Sequence, residues 1–201
     1  MEEIQAGLRA VVKTFLFIVY VISFLVIGYV IHIVTRNESS RRRRFMANAA
    51  FFTDLANKSF NIRVIAKNKP PADEKCMLVG NHMGFLDLLA VYALTPSLFV
   101  TSEEMHETPV LGLITEMAGC VYVERRNRSK TAGEMHKLAD ALREGFRIVL
   151  YPEATSHNGE EILPFKRTLM MAASEAGVPI RPFVVNFTDI NGEPFIMKWR
   201  D

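Results

Sequence analysis

The sequence is poor in the residues that staple small proteins together or carry metals. Among 201 residues there are two cysteines, Cys76 and Cys120, and a single tryptophan. Neither cysteine stands in a C-x-x-C pair or beside histidines at ligand spacing, which leaves a disulfide framework or a zinc site without support. Each opens an apolar run, Met77–Val79 and Val121–Val123, and reads as a small buried hydrophobe of a reduced, cytosol-facing compartment. A G-x-S-x-G elbow is also missing, so the usual nucleophile turn of a serine lipase or esterase is not present. Excess charge is scarce too. The net charge is +2, and residues 1–44 carry seven Lys or Arg against three Glu, whereas residues 45–201 carry seventeen against nineteen acids. A slightly acidic body argues against nucleic acid as a partner, because that role needs basic surface on the folded part.

What the chain has is apolar residues, 49% of the total, enough for one core and something beyond it. From Phe15 to Val34 it reads FLFIVYVISFLVIGYVIHIV, twenty residues without a formal charge. As a helix this run covers about 30 Å, the thickness of a hydrocarbon core. It ends in Thr35-Arg36 and then Arg41 to Arg44, not in a small-residue cleavage site, so it reads as a retained anchor and not as a signal peptide. Four arginines after the span predict a cytoplasmic side there and contact with anionic membrane lipids. The expected organisation is an anchor with a basic flank over residues 1–44, an interfacial or packed helix and linker over 45–70, and a catalytic domain over 71–201, held at the membrane as a single-pass or monotopic protein.

After Pro70-Pro71, short apolar runs alternate with helical patterns. Cys76–Val79, Leu98–Thr101, Cys120–Val123, Ile148–Tyr151 and Ile180–Phe187 predict strands. Leu86–Leu94, a helix capped by Thr108-Pro109 and running to Gly119, Thr131–Leu142 and Lys166–Ala176 predict the helices between them. This alternation implies an α/β fold with a mixed or mostly parallel sheet flanked by helices, behind an N-terminal transmembrane helix.

The segment Gly80-Asn81-His82-Met83-Gly84-Phe85-Leu86-Asp87 follows a predicted strand and opens a helix, a junction where sites collect. Imidazole is the side chain whose basicity suits removal of a hydroxyl proton near neutral pH. A carboxylate five residues on, near the helix start, can fold back to hold the ring's tautomer and stabilise the imidazolium. The same spacing also suits a structural histidine and a helix-capping aspartate.

The segment resembles the N-H-x-x-x-x-D signature of the glycerolipid acyltransferases, and three more blocks follow in that family's order. These are Gly119-Cys120-Val121-Tyr122-Val123-Glu124-Arg125, then Tyr151-Pro152-Glu153-Ala154-Thr155 with Pro164-Phe165-Lys166 after it, and Val178-Pro179-Ile180-Arg181-Pro182-Phe183. By size and anchor the chain looks most like the 1-acyl-glycerol-3-phosphate acyltransferases. The resemblance implies a catalytic pair, His82 and Asp87, and direct transfer of an acyl group from acyl-CoA or acyl carrier protein to a lysophospholipid hydroxyl. It implies substrate contacts at Asn81, Arg125, Glu153, Thr155 and Lys166, with Arg125 clamping an acceptor phosphate and Lys166 reaching phosphate from a helix start. No cofactor or metal is expected.

Two positions depart from that pattern. Ala154 stands where the family usually has Gly, which matters only if the backbone needs a positive φ there. Ser156 stands where Arg commonly follows Thr, which removes a cation and opens the acceptor class to other lysolipids or an aminolipid. Relatives also usually continue beyond the fourth block, whereas this chain ends at Asp201, as a truncated or a minimal member would. The competing readings are a membrane thioesterase and a lipid-binding relative without turnover.

Overall fold

A computed structural model describes residues 2–124, 131–157, 161–190 and 192–195. Its contacts divide the chain into two compact units: residues 1–69, 89–96 and 104–120 in one, and 70–88, 97–103 and 121–201 in the other.

In the first unit the apolar run belongs to a longer helix, α1 (Glu2–Val34). The chain turns at residues 35–37 and enters α2 (Glu38–Phe60), so Arg41 to Arg44 lie within a helix and not on a loop flank. Asn37 caps α2, its side chain accepting from Ser40 N–H at 2.9 Å. Asn61 ends it with a left-handed φ of 59°, and Ile62 N–H returns to the Asn57 carbonyl at 2.7 Å. Helix α2 runs back along α1. Arg44 donates to Thr35 Oγ1 (3.2 Å), Asn48 donates to the Phe24 carbonyl (3.1 Å), Phe24 and Phe52 meet edge to face at 6.0 Å, and Tyr20 and Ser59 share a hydroxyl hydrogen bond of 2.8 Å. Phe45, Met46 and Ala49 are buried on this seam. The other side of α1 stays open: Phe15, Ile18, Ile22, Val26, Tyr29 and Ile33 recur at helical spacing and are all exposed.

Helices α3 (Phe85–Leu94), α4 (Glu103–His106) and α5 (Leu111–Met117) follow. The expected cap at Thr108-Pro109 is not formed. Val110 occupies the cap position of α5 at φ 65°, and the Thr108 hydroxyl instead donates back to the Glu104 carbonyl (3.0 Å). At the other end of α5, Met117 lies so close to Gly28 that a Cβ there would meet its sulfur at 2.6 Å.

The second unit is built on a five-stranded, wholly parallel sheet. The strands are β1 (Met77–Gly80), β2 (Leu98–Ser102), β3 (Val121–Val123), β4 (Ile148–Leu150) and β5 (Ile180–Phe183), in the order β3-β2-β4-β1-β5. Met77 pairs with Ile148 on one side and Ile180 on the other. Strands of this kind are covered on both faces, which is why they read as unbroken apolar runs. Met77, Leu98, Ile148 and Val149 are fully buried, together with Leu138 and Leu142 of α6 (Thr131–Arg143). The fifth strand stops at Phe183, four residues short of the predicted end. The helix predicted from Lys166 resolves into a 3-10 turn (Arg167–Met170) and α7 (Met171–Ala176). A small antiparallel ribbon, β6 (Asp189–Ile190) with β7 (Glu193–Pro194), ends the described part. Because β1, β4 and β5 are parallel neighbours, the loops leaving all three emerge at one end of the sheet. That arrangement is the usual home of sites in open α/β sheets.

Candidate active site

The loop after β1 carries His82, and the first turn of α3 carries Asp87. Asp87 is completely buried, and its Oδ2 accepts from Met83 N–H (2.5 Å) and Gly84 N–H (3.0 Å). The same oxygen lies 2.9 Å from His82 Nδ1. Two main-chain donors fix the carboxylate, and the carboxylate fixes the ring. With the Nδ1 proton directed at Asp87, the lone pair resides on Nε2 of a side chain that remains 25% exposed. An oriented, partly exposed imidazole can remove a hydroxyl proton, and the buried carboxylate stabilises the imidazolium that results.

The ring is held from a second direction by a residue that sequence reasoning placed in a block but gave no task. Tyr151, just beyond β4, stacks on His82 with centroids 4.3 Å apart and planes 15° apart. Phe183 meets Tyr151 edge to face at 6.2 Å, and Phe99 lies tilted against it at 6.3 Å. Burial pushes the Tyr151 phenol well above its ordinary range, and the charge of Asp87 adds to the rise, so it stays neutral at any working pH. Phe183 also explains Gly80: a Cβ at that glycine would lie 2.5 Å from the Phe183 ring.

The other expected substrate contacts are placed in different settings. Asn81 donates its amide to the Val185 carbonyl (2.9 Å) and accepts from Val185 N–H (2.8 Å), tying the β1 loop to the chain beyond β5. Glu153 is nearly sealed, 3% exposed in its side chain, with Oε2 accepting from Leu163 N–H at 2.8 Å. His157 Nε2 stands 2.6 Å from the same oxygen, a pairing that appeared in sequence only as an unremarked i, i+4 spacing. Thr155 is exposed. Lys166 is exposed as well, its N–H donated to the Pro152 carbonyl (2.8 Å) just before the 3-10 turn. Arg125 lies outside the described residues. Ala154 has φ 59°, so the position where Gly is usual does need the left-handed region and an alanine holds it. Among the described residues no three His, Cys, Asp or Glu side chains gather as a metal site would require.

Burial raises the Cys76 thiol and pushes Cys120 up to about 12. Both thiols are therefore protonated at neutral pH and poor nucleophiles.

Comparison with known proteins gives the following. A family model described as Acyltransferase matches residues 61–186. The lyso-ornithine lipid O-acyltransferase of Rhodobacter capsulatus is 35% identical over 130 residues, covering 62% of this chain and 47% of that protein. A 1-acyl-sn-glycerol-3-phosphate acyltransferase of Neisseria meningitidis is 28% identical over 129 residues, covering 64% and 51%. The chain thus spans about half the length of the curated relatives it matches. The crystal structure of the 1-acyl-sn-glycerophosphate acyltransferase PlsC from Thermotoga maritima superposes with a TM-score of 0.64 at 20% identity, over 90% of this chain and 73% of that one, a likeness of fold.

Proposed function

The chain belongs to the acyltransferase family, and from that premise we propose that it transfers a fatty acyl group from a thioester, acyl-CoA or acyl carrier protein, to the free hydroxyl of a lysophospholipid. The observation that carries the reading is the His82–Asp87 pair, with Nδ1 2.9 Å from Oδ2 and the His82 side chain 25% exposed. His82 Nε2 takes the hydroxyl proton as the oxygen attacks the thioester carbonyl. The C–S bond then breaks, and the imidazolium returns the proton to the departing thiolate. Asp87 stabilises the imidazolium between those two steps. Protonated Cys76 and Cys120, the one buried and the other half-buried, fit a route without an acyl-enzyme.

The first acceptor is 1-acyl-sn-glycerol-3-phosphate, giving phosphatidic acid, with Arg125 and Lys166 on its phosphate. A second reading is a lyso-ornithine lipid or another aminolipid. It is favoured by Ser156 in place of a cation and by relatives named for that acceptor. Purified protein in bilayers, given labelled thioester and both lysolipids, separates them by product. Loss of a general base costs roughly 10²- to 10⁴-fold, so His82→Ala should lose transfer on that scale; near-normal turnover at normal abundance defeats the role of His82. Free fatty acid formed without an acceptor would indicate a thioesterase, and no turnover at all a lipid-binding relative.

Helix α1 is long and apolar enough to cross a membrane, and the chain associates with membranes. We favour a monotopic seat over a crossing. Tyr20, deep in the apolar run, is bonded to Ser59 of α2, and the exposed Lys58–Asp54 ion pair stands one turn away on α2. A crossing α1 would draw those charges into hydrocarbon at roughly 2.5–3.5 kcal/mol each. Lying in the interface, the exposed face of α1 enters the lipid together with Val110, Leu111 and Leu113 of the same unit, while Arg41 to Arg44 meet anionic head groups on the cytoplasmic side.

A further inference from the structure

The turn after β4 contains a second imidazole–carboxylate pair whose histidine has no part in the reading above. Ala154, at φ 59° and donating its N–H to the Tyr151 carbonyl (3.1 Å), reverses the chain directly after Glu153. Four residues past Glu153, His157 has come back over it, Nε2 to Oε2 at 2.6 Å. Leu163 N–H reaches the same oxygen from the far side of the loop at 2.8 Å. The carboxylate is thus closed in at 3% exposure, with the imidazole at 14% as its outer cover. The main chain of His157 does something different: its N–H donates to the carbonyl of His82 at 3.0 Å.

We propose that His157 is a positioning residue for the acyl transfer, and this rests on the reading of His82 as the base. A carboxylate withdrawn from water keeps its charge only where donors replace the lost hydration. Here a main-chain N–H donates to it, and the imidazole of His157 stands in close contact with the same oxygen, at 2.6 Å. The imidazole therefore holds the turn 154–157 down on Glu153, and the turn so held presents the N–H that fixes the His82 carbonyl. The strand end that bears Glu153 also bears Tyr151, stacked on the His82 ring, so loop and ring are aligned from one anchor. Removal of the imidazole uncovers the carboxylate and takes away its close polar neighbour, and the turn relaxes to hydrate it. The His82 ring then loses alignment with the hydroxyl while the thioester's binding is untouched. The effect falls on kcat.

The test uses the full chain in bilayers with His157→Ala, His157→Gln, Glu153→Gln and the double variant His157→Ala/Glu153→Gln. Misplacement of a reacting group by about 1 Å costs on the order of 100-fold, so His157→Ala should lower kcat by roughly 10- to 100-fold with the thioester KM and the melting temperature unchanged. His157→Gln should recover much of that loss, because its amide covers the carboxylate and can donate to it. The double variant should be no slower than Glu153→Gln alone, since a neutral amide in place of the Glu153 carboxylate no longer needs the imidazole. Equal losses for Ala and Gln, a loss that tracks melting temperature, or losses that multiply in the double variant would each overturn the proposal. An independent arm reads the pair itself: in histidine-labelled protein, the imidazole N–H resonance of His157 should lie downfield and move in Glu153→Gln. Should the wild-type chain acylate no lysolipid, the acyltransferase reading fails by itself; an unmoved His157 resonance would then sink the positioning role too, and a moved one would sustain the pair.

Discussion

At the scale of single residues, the sharpest feature is an alanine where the backbone calls for glycine. A left-handed φ costs a non-glycine residue roughly 1–2 kcal/mol, while glycine loses roughly 0.5–1 kcal/mol more chain entropy on folding. Ala154→Gly should therefore be neutral or stabilise the protein by up to about 1.5 kcal/mol, read as a raised urea midpoint at unchanged slope. A lowered midpoint would mean that the Ala154 methyl makes packing contacts that outweigh the strain. Cys120 makes a prediction about pH. Its thiol is raised from 9.0 to about 12, so between those values the folded chain keeps a proton that the unfolded chain releases, and stability falls as pH rises through that window. The full fall amounts to roughly 4 kcal/mol, is absent below pH 9, and should shrink in Cys120→Ala when urea midpoints are compared from pH 8 to 11. Buried Tyr92, raised for the same reason, leaves a residual fall in both proteins.

At the scale of elements, the contact between β1 and β5 controls the site from behind. Gly80→Ala would push a methyl against the Phe183 ring, and overpacking of this kind costs roughly 1–3 kcal/mol. Displaced Phe183 carries Tyr151 with it, so kcat should fall along with the melting temperature, and Phe183→Leu in the same chain should restore both. Failure of that restoration would place the damage in the backbone of β1. The elements themselves were legible in the amino-acid pattern because parallel strands and amphipathic helices differ in period. The five-residue step from His82 to Asp87 marked the site, since both residues belong to one local turn. Other features lay beyond the reach of local pattern. The last residue of α5, Met117, packs against Gly28, far away in sequence order. Asn81 spends its amide on Val185 because β5 lies beside β1, and His157 meets Glu153 only because residue 154 turns left-handed. Each depends on neighbours that the chain acquires on folding.

At the scale of the whole molecule, the monotopic seat has a test that the carboxylate chemistry does not touch. Gly7 has open space around it and Cys76 is buried, so Gly7→Cys in a Cys120→Ala background offers a single reactive thiol near the start of α1. In sealed vesicles that display the catalytic unit outward, a membrane-impermeant maleimide should label it without detergent. Labelling only after detergent would mean that α1 crosses. The pairing of α1 with α2 also sets an order of events during synthesis. Those helices are joined by residues 35–37, so the ends that must meet are close from the moment they exist, whereas Met77 waits for Ile148 and Ile180 to be made. Short closures form fast and distant ones slowly. A ribosome halted after residue 61 and the length of its tunnel should already float with membranes, carrying a finished hairpin and none of the sheet. The strands then emerge beside a lipid surface, one chain at a time, and the slow assembly of a parallel sheet takes place apart from other unfinished copies.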